Sequence, residues 1–195
     1  ILPTIDHVNL FLTWGEVEGI VCSGIDKGKK TTYALLDERV PPTRELCREE
    51  ALARLASRYF QSHSPAQLQD FVWWSGLTAT ECRLAINLIN TELITETFDS
   101  REYFIHQSWK GKNESEPVLR LLPAFDEYLI SYKNRTDVLP LEHHPKAFNR
   151  FGTFYPVILY NGKIIGNWSR SIKKNSIQIE MDFFEKKPHI PVKLI

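Results

Sequence analysis

The chain has 195 residues, with 24 Lys and Arg set against 24 Asp and Glu, 43% hydrophobic and 12% aromatic content. Such a composition excludes a disordered or fibrous chain, and it places any affinity for nucleic acid in local basic patches, because the overall charge is zero. The length suffices for one large or two small domains with cores of their own.

The opening Ile1-Leu2-Pro3 has no Met and passes at once into a helical pattern, which we read as the interior of a motif and so as a piece of a longer protein. His7, Leu10, Phe11 and Trp14 keep helical spacing over residues 6–14, ended by Gly15 or Gly19. Residues 19–24 and 32–36 are β-prone and read as a hairpin whose connector carries Lys27, Gly28, Lys29 and Lys30. A helix followed by a hairpin with a basic tip is the back half of a winged helix. Lys29 and Lys30 at that tip either contact DNA or only keep a loop soluble, and the sequence weighs the two evenly. Pro41-Pro42 then forbids helix and central strand and marks a boundary.

From residue 43 to residue 63 a helix with a charged outer face runs through Leu52, Leu55, Ala56, Tyr59 and Phe60. A helix-turn-helix follows. Its first helix is expected to start at Pro65 with Ser64 as N-cap, burying Leu68, Phe71, Val72 and Trp74, and Gly76 ends it. Thr78 caps the second helix, and Glu81 three residues on completes a capping box. Strands at 93–97 and 102–105 close the unit as a hairpin, so residues 43–107 read as a complete winged helix, whose second helix commonly enters the major groove. The two helix-plus-hairpin segments form a diverged internal repeat.

Residues 108–117 form a polar linker without periodicity. Beyond it the pattern is that of strands. Asn161-Gly162 between residues 156–160 and 163–168 predicts a hairpin with a type I′ turn, and Ile177, Ile179, Met181 and Phe183 alternate with polar residues, which predicts one buried face. The fold class is therefore α+β: a remnant winged helix (1–42), a winged helix-turn-helix (43–107) and a small antiparallel sheet or barrel-like domain (118–195).

Three stretches together carry a resemblance. They are Ser64-Pro65-Ala66 through Ser75-Gly76-Leu77, then Leu121-Leu122-Pro123-Ala124-Phe125-Asp126-Glu127-Tyr128-Leu129-Ile130-Ser131-Tyr132-Lys133-Asn134-Arg135, then Tyr160-Asn161-Gly162-Lys163-Ile164-Ile165-Gly166-Asn167-Trp168. In this order, with residues 34–41 before them, the set resembles the winged-helix DNA-binding family that includes the bacterial alkylpurine and interstrand-crosslink DNA glycosylases, and specifically its C-terminal portion. The resemblance implies tandem winged helices and a β-barrel around double-stranded DNA, with no small-molecule cofactor. It also implies a catalytic Gln-apolar-Gln or Gln-apolar-Asp pair in an N-terminal third to which nothing here corresponds. Gln67-Leu68-Gln69 matches by letters, but on a helix starting at Pro65 its two amides would point about 200° apart and could not share a water. No catalytic residue is therefore assigned to this chain.

The candidate DNA contacts are Lys133 and Arg135 after the long central motif, Arg170, Lys173 and Lys174 beyond the second hairpin, Thr78, Thr80 and Arg83 on the second helix, and Lys29 and Lys30. Asp126 and Glu127 can act as general acid and base, but they read rather as partners that hold Lys133 or Arg135. Trp73 and Trp74 read as core and interface, Trp168 as an anchor within the sheet domain. His143-His144 has no third ligand at metal spacing, so no metal is expected, and His63 and His106 receive no role. The scattered Cys22, Cys47 and Cys82, with no apolar run near the ~20 residues that cross a bilayer, suit a cytoplasmic, nucleoid-associated protein without membrane contact. Three functions remain open: part of a DNA glycosylase, a non-catalytic DNA-binding regulator, or a protein-interaction module.

Overall fold

The computed structural model describes residues 5–111, 117–174, 176–186 and 188–191, with the side chains of residues 5 and 6 excepted. It comprises two units, residues 1–46 and 47–195. In the first, α1 (Ile5–Val17) is longer than the sequence pattern suggests, and Leu10, Phe11, Trp14 and Val17 stay exposed along it. The strands β1 (Val21–Ser23) and β2 (Tyr33–Leu35) pair antiparallel with Cys22 opposite Ala34. Their connector is pinched by a bridge between Lys27 and Lys30, with Gly28 at φ +66°. A single turn, α2 (Leu36–Arg39), takes the end of the expected second strand, and the prolines stop it.

The second unit opens with α3 (Arg48–His63), which starts five residues later than predicted because residues 43–47 behind Pro41-Pro42 take no regular structure and Cys47 is extended. α4 (Leu68–Ser75) and α5 (Ala79–Leu88) follow. Leu52, Ala56, Tyr59, Phe60, Phe71 and Cys82 interlock between the three helices, with Tyr59, Phe60 and Phe71 ring centroids 5.0 to 5.5 Å apart. The expected turn chemistry is present: Gly76 has φ +70°, Thr78 Oγ1 accepts from Glu81 N, and Glu81 accepts from Thr78 N.

The start of α4 differs from expectation. Pro65 does not open the helix, because Ala66 exchanges both backbone hydrogen bonds with Phe104, at 3.1 and 2.8 Å, and so belongs to an extended segment. Gln67 is the N-cap residue, and its N–H donates to Asp70 Oδ2 at 2.9 Å. The backbone groups of Ala66 thus find a sheet partner 38 residues away in sequence, which local propensity cannot show. That partner lies on β4 (Arg101–His106), paired with β3 (Leu93–Phe98) through a two-residue turn at Asp99 and Ser100, both at positive φ.

Residues 112–116 of the expected linker lie outside the described residues. After it come β5 (Leu119–Leu122), which the sequence pattern did not single out, α6 (Glu127–Ile130) and α7 (His144–Ala147). The antiparallel strands β6 (Val157–Tyr160), β7 (Lys163–Lys173) and β8 (Ser176–Phe183) complete a sheet of order β5-β6-β7-β8. Asn161 and Gly162 form the predicted turn, with φ of 48° and 77°. Leu129, Leu139, Ala147, Phe154, Val157 and Ile164 pack its core. Gly166 is required where β7 passes β8, since a Cβ there would lie 2.3 Å from Asp182 O.

Two expectations for this region are corrected. The sheet does not close into a barrel among the described residues, because β5 and β8 are its two edges. The face of β8 expected to be buried is partly uncovered, with Ile177 64% and Ile179 49% exposed, since β7 runs on to Lys173 and carries the strand pair past the core. Alternation is real, but nothing in the described residues covers that face. Trp168 is an anchor, donating from Nε1 to Leu122 O at 2.7 Å. No described helix is long and apolar enough to cross a membrane.

Candidate nucleic-acid interface

The long motif that follows β5 lies against α3 and α4, and its hydrogen bonds show what it is for. Trp73 Nε1 donates to Ile130 O at 2.9 Å, Tyr132 Oη donates to His63 O at 3.0 Å, and Asp70 Oδ1 accepts from Lys133 N at 2.8 Å. Asp70 is 3% exposed, so one buried carboxylate ties the first turn of α4 to the backbone at Lys133. His63 Nε2 lies 3.1 Å from Ser131 Oγ and 3.5 Å from Glu127 Oε2, and Ser131 Oγ donates to Glu127. Further along, Arg101 holds Asp137 with two parallel hydrogen bonds of 3.0 and 3.1 Å. Burial, with Asp70 nearby, pushes the Tyr132 hydroxyl up to about 12.

This clasp decides the fate of several candidates. Asp126 is the N-cap of α6, accepting from Tyr128 N at 2.9 Å, and Glu127 is engaged with Ser131 and His63, so the partners of both acids are parts of the local fold and not Lys133 or Arg135 as expected. Arg135 points inward. Its Nε donates to Leu129 O, and its guanidinium carbon lies 5.3 Å from the Phe148 and Phe154 rings and 5.5 Å from the Trp73 ring. Burial lowers its pKa, against the opposing pull of Asp70. The guanidinium nitrogen Nη2 is buried and without a hydrogen-bond partner, out of reach of a phosphate.

Lys133, two residues earlier, is exposed and stands over the Trp73 ring at 4.5 Å from its centroid. Trp73 is itself 46% exposed, so of the core and interface roles expected for it, it does not fill that of a core residue. Arg83, on the outer face of α5, completes a groove of about 360 Å³ with Leu68, Gln69, Val72, Trp73 and Lys133. A second groove of about 300 Å³ continues from Arg83 between α5 and the β3–β4 hairpin, past Asn87, Thr95 and Phe104. Two cations that sequence placed 50 residues apart thus share one groove with an exposed indole. The arrangement can neutralise phosphates while offering an aromatic surface to a base or sugar.

A sequence model of the DNA glycosylase AlkZ-like family matches residues 10–187. The chain belongs to this family. An interstrand DNA cross-link repair glycosylase of Streptomyces sahachiroi is 25% identical over 170 residues, which is 80% of this chain and 46% of that protein. The solved structure of the Streptomyces sahachiroi DNA glycosylase AlkZ superposes with a TM-score of 0.75 at 22% identity, over 96% of this chain and 53% of that one. This AlkZ-like chain therefore spans about half the length of the relatives it matches.

The remaining candidates are spread over the AlkZ-like fold. Thr78 is spent on its cap, its hydroxyl donating to Glu81 Oε2 at 2.7 Å, whereas Thr80 is exposed. Thr78, and then Arg48, hold the Glu81 carboxyl below its usual range, so the negative charge on α5 is already partnered. Arg170 lies opposite Ile179 on the exposed strand pair, Lys173 donates to Gln178 Oε1 at 2.9 Å, and Lys174 follows the strand end. Asn175, beside it, lies outside the described residues. Lys29 and Lys30 are exposed at the hairpin tip of the first unit. Gln67 and Gln69 do meet, Gln69 Nε2 donating to Gln67 Oε1 at 2.8 Å, because Gln67 precedes the helix instead of lying on it. The geometric reason for setting that pair aside thus fails. Gln67, however, is buried beneath the clasp and its amide oxygen is taken by Gln69.

Sequence reasoning missed Asp70 and His63 as organisers. The signal for Asp70 is local, an acid three residues after the true N-cap Gln67, but it is masked because Ser64-Pro65 offers a competing N-cap pattern.

Proposed function

We propose that this chain is the DNA-gripping part of an AlkZ-like DNA glycosylase that removes bulky alkylated purines or unhooks interstrand crosslinks from double-stranded DNA. In this reading α3, α4, α5 and the β3–β4 hairpin act as a winged helix (43–107), residues 1–42 are the back half of another, and residues 118–195 are a domain built on an open antiparallel sheet. The catalytic pair lies in other domains of the full-length protein, which works on chromosomal DNA in the cytoplasm. Arg83 and Lys133 bind phosphates in the groove they share with Trp73, joined by Thr80, by Arg170, Lys173 and Lys174 on the exposed strand pair, and by Lys29 and Lys30. Arg135 and Thr78 support these contacts from behind.

The observation that carries the reading is the pair of exposed cations, Arg83 and Lys133, held in one groove around an exposed indole. Phosphate-led binding weakens as salt rises, and each lost phosphate contact lowers the slope of log K against log salt by about one. Titration of a fluorescent duplex at stepped salt should therefore show a steep slope that falls by about one in Arg83→Gln and again in Lys133→Gln. Equal slopes in all three proteins would overturn the assignment of the groove. Release of the modified base from a duplex with a bulky N7 adduct by the full-length protein separates the glycosylase from a regulator. Weak binding that does not respond to salt would favour a protein-interaction module.

A further inference from the structure

Away from the groove, two distant stretches bring three metal-ligating atoms together. Glu142 and His143 lie in the 3-10 turn Leu141–His143 that leads into α7, and Glu185 follows the end of β8. His143 is 8% exposed, whereas both carboxylates are largely in solvent. Glu185 Oε1 is 3.2 Å and Glu142 Oε1 3.7 Å from His143 Nε2, and the three atoms lie within 4.8 Å of one another. A single Nε2–H can serve only one of the two carboxylates, and like charges at this separation repel. Nearby lysines are turned elsewhere: Lys146 Nζ donates to Phe184 O at 3.3 Å, and Lys163 Nζ donates to Asp137 O. Lys186 lines the adjoining cavity of about 300 Å³ without an ion pair to either carboxylate among the described residues.

One cation resolves this arrangement. A tetrahedral ion with bonds of about 2.0 to 2.1 Å sets neighbouring ligand atoms about 3.3 Å apart. The observed 3.2 and 3.7 Å to Nε2 are close to that spacing, the two carboxylate oxygens lie within 4.8 Å of each other, and both side chains are exposed enough to close in on an ion. The adjoining cavity leaves room for water as a fourth ligand. An imidazole with two carboxylates suits a first-row divalent ion, whereas Mg²⁺ and Ca²⁺ prefer oxygen donors alone. We propose that Glu142, His143 and Glu185 form a structural binding site for a zinc-class divalent cation, which fastens the end of β8 to the turn before α7. The sequence hid it because the neighbouring His144 is not a ligand. Its Nε2 lies 3.2 Å from Leu139 O, and the third donor is 42 residues further on.

Isothermal titration of the 195-residue chain with ZnCl₂, under reducing conditions and with excess Mg²⁺ present, tests the site. The expected result is one saturable equivalent, weakened more than about tenfold in Glu185→Gln and in Glu142→Gln, together with a zinc-dependent rise in Tm that these variants lose. Both substitutions are at exposed side chains, so the variants should fold. A Cys22→Ser/Cys47→Ser variant run in parallel should bind as tightly as the parent. Absence of saturable binding, binding unaffected by the two Glu→Gln changes, or loss of binding in the cysteine variant would overturn the proposal. The measurement involves no DNA, so it stands or falls apart from the glycosylase reading.

Discussion

The clasp around Asp70 and the projecting β7–β8 strand pair are built from similar letters, cations next to aromatic or aliphatic residues with hydroxyls between. They differ in where the backbone groups go. In the clasp, Asp70, Trp73 and Tyr132 each spend a polar atom on the main chain of the facing segment, so Arg135 is drawn inside and only Lys133 is left to solvent. In the strand pair, the hydrogen bonds run between the two strands alone, and Arg170, Ile172, Ile177 and Ile179 remain on an open face. A basic residue within a distinctive motif is thus as apt to be a strut as a contact. What separates the two is the burial of its neighbours.

The largest test removes what the clasp rests on. Phe71, fully buried against Tyr59 and Phe60, should cost about 3 to 5 kcal/mol on change to Ala, read by urea unfolding. Next, Asp70→Ala should cost about 2 to 3 kcal/mol, because it leaves the Gln67 and Lys133 amides without their acceptor, and Asp70→Asn should recover part of the loss. A third pair divides strut from contact. Arg135→Met should lower stability by about 1 to 3 kcal/mol and leave the salt slope of DNA binding unchanged, whereas Lys133→Gln should do the reverse. If Arg135→Met alters the slope while stability holds, the distinction between the two regions collapses. On the strand pair, Ile177→Ser should change unfolding by no more than about 0.5 kcal/mol.

The smallest effect concerns acid. Ser57 and then His106 hold the Glu92 carboxyl below its usual range. Its contribution is therefore present above the unfolded value of about 4.3 and is lost as the pH falls through the depressed folded value. Glu92→Gln should flatten that part of the stability profile while leaving the profile near neutrality little changed in shape, as thermal unfolding at stepped pH would show.

Local chemistry was legible wherever the partner was near in sequence. Gly76, the Thr78–Glu81 box and the Asn161-Gly162 turn could all be read because each is settled within four residues. The start of α4 was not, since Ala66 pairs with Phe104, nor was the exposure of Ile177 and Ile179, since alternation reports a face but not what covers it. The groove was half legible. Arg83 and Lys133 stood out singly as basic residues on a helix and after a motif, but it takes the long-range bonds of Asp70, Trp73 and Tyr132 to hold the Lys133 segment at the groove that Arg83 lines.

The open sheet has a consequence for the protein in a crowded cell. Among the described residues β8 is an edge of the sheet, and Ile177 and Ile179 give it an adhesive face that a second strand could cover. Glu180 and Asp182, on the alternate positions, put negative charge where an incoming copy would have to lie. Their charges oppose the pairing of two such edges, and neutralising both is expected to raise light scattering as the concentration rises.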